Sequence, residues 1–181
     1  MANIRNNNDR RYIQIYTGNG KGKTTAAIGQ AVRAAGCRMS TLIIMFMKNY
    51  PYSEMESLKY LSEWITVEQY GDDEFVLRKQ PPSKRDRDIA HRALKRAYDA
   101  VVRKQYDIVI LDEICVAAYF NLIAVDEVVA ILDDKPDAVE LILTGRYCPK
   151  EWIDKADLVS EMLEIKHYYN KDVLARKGFE S

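Results

Sequence analysis

Residues 16–25 read YTGNGKGKTT. Gly18, Gly20 and Gly22 alternate with Asn19 and Lys21, and Lys23, Thr24 and Thr25 follow. Glycines let the main chain turn sharply and come close to an anion. The N–H groups at a following helix start then point at that anion, aided by the helix dipole. This is chemistry suited to a chain of phosphates. Lys23 can reach the phosphates as a mobile point charge, and the Thr24 hydroxyl can ligate Mg²⁺. Thr25, Lys21 and Asn19 add further donors. Counting back from Gly22, Lys23 and Thr24, Thr17 stands where the pattern G-x-x-x-x-G-K-[ST] has its first glycine. A glycine-rich turn with solvated lysines has the same composition. The position between a strand and a helix favours the phosphate loop.

A magnesium–nucleotide centre also needs carboxylates. Asp112 and Glu113 follow the apolar run DIVIL at 107–111, at the carboxyl end of a candidate strand. Ligands bind at that end of strands in open α/β sheets. The bland alternative is a charged strand end meeting a helix N-terminus. Thr24, Asp112 and Glu113 are the candidate metal ligands, and Lys23, Thr24 and Glu113 the candidate catalytic set. The sequence leaves open which of the two carboxylates faces the metal. TGR at 144–146 ends another strand candidate, so Arg146 either meets a phosphate or pairs with a carboxylate.

The elements that would carry these residues alternate along the chain. YIQIY at 12–16 predicts a first strand, and 24–36 a helix with Ala27, Ile28, Ala31, Val32 and Ala35 on one face and Gly36 as its stop. TLIIMFM at 41–47 is continuously apolar, as a strand buried on both faces should be. A short helix at 53–61, a strand at 65–70 and a loop at 71–82 come next. The long helix is expected at 83–104, with Ser83 and Asp86 as a capping box and Ile89, Ala93, Ala97, Ala100 and Val101 as its stripe. A helix at 125–132, a strand at 138–143, a helix at 149–156 and a strand at 158–163 complete the pattern. Such alternation predicts an α/β fold: a mostly parallel sheet with helices on both faces, like a P-loop NTPase of the RecA type.

Composition bounds the function. The chain has 181 residues, 48% of them hydrophobic, which suits one domain with one core, expected over 12–181 after a polar arm at 1–11. Lys+Arg and Asp+Glu are both 27, and a general nucleic-acid or membrane binder would more often be basic. Cys37, Cys115 and Cys148 are far apart and form no CxxC, which argues against a disulfide framework or zinc site and fits a reducing cytosol. No apolar run reaches membrane-span length. The polar N-terminus lacks a signal-peptide core, so a cytoplasmic location is expected.

The wording of the motifs is more specific than their class. TGNGKGKTTAAIGQAVRAAG, then ILDE, then LILTGRYCPKEWIDKADLVSEMLEIKH and a closing ARKGFES resemble the ATP:corrinoid adenosyltransferases of the CobA/CobO/BtuR type. The resemblance runs from about Ile13 to the C-terminus and is weak over 49–85. It implies that cob(I)alamin cobalt attacks the 5′ carbon of ATP, with inorganic triphosphate leaving. It implies Mg²⁺, a cytoplasmic homodimer and a flavoprotein reductase as electron source. Thr17 in place of the first glycine agrees with that family. Some members use aromatic side chains before the long helix to shield the lower corrin face. Here that loop offers Phe75 but no nearby tryptophan, since Trp64 precedes it and Trp152 lies far along.

The remaining candidates are expected to be structural. His91 falls among basic residues on the long helix, and Lys84, Arg85 and Arg87 form a solvated face. His167 is read as structural, with a substrate contact as the alternative. Met45, Met47 and Met55 are read as core. Two rival functions share the loop. A small P-loop kinase would make ADP rather than triphosphate. A non-catalytic nucleotide or corrinoid-binding switch would form no cobalt–carbon bond, and the DxHxxG motif of corrinoid carriers does not occur.

Overall fold

The computed structural model describes residues 10–49, 52–71 and 81–179. Six strands form one all-parallel sheet: β1 (Ile13–Thr17), β2 (Thr41–Phe46), β3 (Ile65–Tyr70), β4 (Ile108–Asp112), β5 (Glu140–Thr144) and β6 (Leu158–Glu161), in the order β3-β2-β4-β5-β1-β6. Among the described residues the helices are α1 (Lys23–Ala35), α2 (Ser53–Leu58), α3 (Lys84–Val102), α4 (Ile114–Tyr119), α5 (Val125–Asp134) and α6 (Lys150–Lys155). A 3₁₀ turn at Lys59–Leu61 extends α2, and another spans Tyr168–Lys171.

The alternating direction of strand side chains divides the core into two layers. Leu42, Ile44, Phe46, Val109, Leu111, Leu141 and Leu143 point to the side that packs α3, α4, α5 and α6. Ile43, Met45, Ile108, Ile110 and Ile142 point the other way, onto the small residues Ala27, Ala31, Ala34 and Ala35 of α1. Trp152 of α6 is fully buried in the first layer, where its indole N–H donates to the Val125 carbonyl at 3.1 Å. Both faces of the central strands are covered, which is why their sequences read as unbroken apolar runs.

Register places the chemistry on one edge. Met45 is opposite Asp112, Leu111 opposite Leu143, and Tyr16 opposite Thr144. The chain leaving β1, β2, β4 and β5 therefore emerges at the same carboxyl end. β1 and β4 are not neighbours, and β5 lies between them.

Several local expectations are corrected. On α1, Val32 is 45% exposed and Ile28 half-buried, while Ala34 joins the buried face. Gly36 does cap α1, as expected, but at φ −60°; it is not the left-handed residue of the helix end. Arg38 takes that conformation at φ 60°, with Met39 N–H donating to Ala34 and Arg38 N–H to Ala35. This is a Schellman-type end built without glycine. On α3 the capping box of Ser83 and Asp86 forms as expected, but Ala90 and Leu94 are buried and Ile89 is only half-buried. The sequence pattern did not reveal α4. β6 ends at Glu161, short of the expected 163. Phe75 lies outside the described residues. Among the described residues no helix is long and apolar enough to cross a membrane.

Candidate active site

The phosphate loop runs from the end of β1 into α1. Gly22 precedes the helix at φ 117°, a left-handed conformation that suits glycine. Gly18 is left-handed as well, at φ 94°, and close packing adds a second requirement there and the main one at Gly20. A Cβ on Gly18 would lie 2.5 Å from the Met162 carbonyl oxygen, and one on Gly20 2.7 Å from the same atom. The chain after β6 thus lies directly on the loop, and Gly20 N–H donates to Met162 O at 2.6 Å.

Lys23 folds back on its own loop. Its Nζ donates to the carbonyls of Gly18 at 2.8 Å and Gly20 at 2.7 Å. Burial pushes this ammonium below its ordinary pKa, while Glu113 opposes the shift. Thr17 occupies the position of the missing first glycine, and its hydroxyl donates to the Gly145 carbonyl at 2.9 Å. The loop is thereby tied to the strand end that carries Arg146.

Asp112 is 1% exposed and fully engaged. Its Oδ1 accepts from the hydroxyls of Thr24 at 2.9 Å and Thr144 at 2.7 Å. Its Oδ2 accepts from Lys48 Nζ at 2.7 Å. Thr144 also accepts from the Glu113 N–H at 2.9 Å, so one hydroxyl orients both neighbouring acidic residues. Glu113 itself turns left-handed at φ 61° and starts α4. That turn gives the two carboxylates different surroundings. Burial pushes the Glu113 carboxyl pKa up, only partly countered by Lys48.

A cavity of about 730 Å³ opens over the loop. Gly20, Lys21, Gly22, Lys23, Thr24 and Thr25 form its floor, and Lys48, Glu113 and Arg146 line it as well. Glu113 lines this cavity and Asp112 does not, because Asp112 is turned behind Thr24. The predicted loop residues from Gly20 to Thr25, Glu113 and Arg146 are therefore brought to one cavity, whereas Gly18 and Asn19 do not line it. His167 also lines it, unlike His91, which contacts Arg87 O and Glu127 on the surface. Lys21 donates to the Phe179 carbonyl at 2.7 Å and the Tyr168 hydroxyl at 3.3 Å, so the C-terminal segment reaches the same rim.

Lys48 was not singled out from the sequence. Burial alone would lower its pKa, but Asp112 and Glu113 outweigh burial and the net shift is upward. A lysine directly after the buried run TLIIMFM was the available signal.

A profile of the family described as ATP:corrinoid adenosyltransferase BtuR/CobO/CobP matches residues 9–181. The chain belongs to this family. Curated corrinoid adenosyltransferases from Escherichia coli K12 and Pseudomonas aeruginosa PAO1 are 31% and 30% identical to it, each over 95% of this chain, and it covers 86% and 84% of their lengths. A relative from Salmonella typhimurium, named corrinoid adenosyltransferase CobA, is 30% identical over 95% of this chain and 86% of its own. Among solved structures, the flagellar accessory protein FlaH from Methanocaldococcus jannaschii superposes with a TM-score of 0.52 at 17% identity, over 85% of this chain and 71% of that one. That likeness concerns the fold alone. The GNGKGKTT string, at 18–25, and the TGR block both fall inside the adenosyltransferase match.

Proposed function

We propose that this chain transfers the 5′-deoxyadenosyl group of ATP to the cobalt of a reduced corrinoid such as cob(I)alamin, releasing inorganic triphosphate. In the reaction the cobalt(I) electron pair forms the cobalt–carbon bond at C5′. The C5′–O bond breaks, and its electron pair leaves with the triphosphate. The corrinoid is the nucleophile, so the protein need not generate one. Its work is to orient two substrates and to stabilise charge on the leaving oxygens.

The single observation that carries this reading is a cationic phosphate cavity on a chain matched to the family over almost its whole length. Loop N–H groups, Lys21, Lys23, Thr25 and Arg146 are assigned to the triphosphate. Mg²⁺ fits the residues present, because the Thr24 hydroxyl and the Glu113 carboxylate are hard oxygen donors lining the cavity. Among the described residues there is no cluster of three or more His, Cys, Asp or Glu that would hold a metal by itself. That suits an ion held by one or two protein oxygens together with substrate phosphates. When bound it would neutralise charge on the leaving triphosphate. Asp112 is assigned a positioning role, accepting the Thr24 hydrogen so that the hydroxyl lone pairs face outward. Phe75 is assigned to the lower corrin face on the strength of the family resemblance. Homodimerisation, a cytoplasmic location and a flavoprotein reductase partner belong to the same proposal.

The test is an anaerobic mixture of the protein, MgATP and chemically reduced cob(I)alamin. A photolabile alkylcobalamin appearing together with triphosphate is the expected result. ADP as the nucleotide product, or no cobalt–carbon bond despite ATP binding, overturns the reading.

A further inference from the structure

Lys48 contacts the Thr24 hydroxyl assigned to the metal and the Asp112 carboxylate that positions it. Its Nζ is 2.7 Å from Asp112 Oδ2 and 3.4 Å from Thr24 Oγ1. The buried Asp112 carboxylate needs a compensating charge, and Lys48 supplies it. A divalent ion bound through Thr24 and the ammonium of Lys48 would repel each other strongly in so enclosed a place. Loading the site would therefore favour a Lys48 ammonium held away from Thr24.

The backbone offers it little freedom to move elsewhere. Met47, just before it, is left-handed at φ 57°. A Cβ on Gly71 would lie 2.5 Å from Met47 Cα and 2.6 Å from Lys48 N, so the chain leaving β2 is wedged against the end of β3. Motion is left to the side chain, which is 17% exposed and lines the cavity with Lys21, Lys23 and Arg146. The Tyr52 ring, with its centroid 5.5 Å from Nζ, flanks the ammonium on the cavity side and gives it a second cation-binding face.

We propose that Lys48 is a triphosphate-binding residue that pairs with Asp112 in the nucleotide-free protein and swings onto the triphosphate when nucleotide and metal enter, a role that rests on the adenosyl-transfer reading. It thereby couples metal loading to capture of the leaving group. The ammonium that neutralises Asp112 before binding becomes an extra cation on the triphosphate during transfer. A purely structural lysine would hold Asp112 in both states.

The test is calorimetric titration of the full-length protein with two separate probes, Mg²⁺ alone and metal-free inorganic triphosphate. Lys48→Met is expected to weaken triphosphate binding about tenfold and to tighten Mg²⁺ binding about tenfold, since one charge-assisted contact is lost and one competing cation removed. Lys48→Arg should keep triphosphate affinity within about threefold of the parent. Asp112→Asn frees the ammonium and should tighten metal-free triphosphate, a gain that vanishes in the Lys48→Met, Asp112→Asn double variant. That double variant removes both buried charges together, so it guards against a single variant that fails to fold. Losses of equal size for both probes in Lys48→Met, or a gain that survives in the double variant, would overturn the role of Lys48. These titrations contain no corrinoid. Failure of cobalt–carbon bond formation alongside the expected affinities would count against the transfer reading alone.

Discussion

The Thr24 hydroxyl of the phosphate loop and the Asp112 carboxylate at the end of β4 are joined by a hydrogen bond of 2.9 Å. Thr24 lies in the first turn of α1, which follows β1, and β5 separates β1 from β4 in the sheet, so the bond links the two halves of the site. Asp112→Asn keeps the shape and removes the charge. We expect it to lower adenosyl transfer about 10–100-fold, the range typical of residues that orient a metal ligand. Steady-state assays across Mg²⁺ concentration check this: the apparent metal affinity should fall along with the rate. Unchanged metal dependence would dissociate Asp112 from the metal site.

Two glycines separate packing from propensity. Gly20→Ala forces a Cβ against the backbone carbonyls of Met162 and Leu163, at 2.7 and 2.8 Å. We expect a loss of about 1–3 kcal/mol with weakened ATP binding, since the loop or the segment after β6 must shift. Gly29 lies in the exposed interior of α1, where an added Cβ meets nothing within 4 Å. Gly29→Ala should stabilise the chain by about 0.5–1 kcal/mol without changing activity. Thermal melts of the two variants should move in opposite directions.

Arg38 holds the left-handed position that ends α1 at φ 60°. An L-residue there costs about 1–2 kcal/mol, part of which glycine returns as unfolded-chain entropy. Arg38→Gly is therefore expected to stabilise by about 0.5–1 kcal/mol, raising Tm by about 1–4 °C. A lowered Tm would mean that the Arg38 side chain makes a contact worth more than the backbone relief.

Glu113 gives a pH signature. Burial raises its carboxyl pKa in the folded chain. Between the ordinary carboxyl value, about 4.3, and the raised one, the folded state binds more protons than the unfolded state. Its contribution to stability consequently falls as pH rises through that window and stays unfavourable at neutral pH. Glu113→Gln should then raise Tm at pH 7, with the gain shrinking toward pH 3. As this is the carboxylate assigned to the metal, its loss should also cut transfer by about 100-fold. A destabilised variant at pH 7 would contradict the burial argument.

Much of this was legible in the residues because the signals were local. The phosphate loop, the capping box of Ser83 and Asp86, and the apolar runs of β2 and β4 are all contained within short windows. The site pairings that escaped depend on distance. Lys48 meets Asp112 across 64 residues, through the pairing of β2 with β4, and no local pattern records that. The segment after β6 meets Gly20 across more than twice that separation, where the glycines alone pointed only to close approach of an anion. α4 escaped for a different reason: Ile114–Tyr119 is six residues long and opens at a left-handed glutamate rather than at a capping residue. The sequence leaves Arg146 between two roles, and the structure places it on the cavity wall.

The most direct measurement uses ATP carrying ¹⁸O at the bridging 5′ oxygen, with chemically reduced cob(I)alamin under anaerobic conditions. Mass spectrometry then follows the label. Cleavage of the C5′–O bond predicts that the label leaves in inorganic triphosphate as adenosylcobalamin forms. Label retained in ADP or another nucleotide would show cleavage at phosphorus, and would contradict adenosyl transfer at this site.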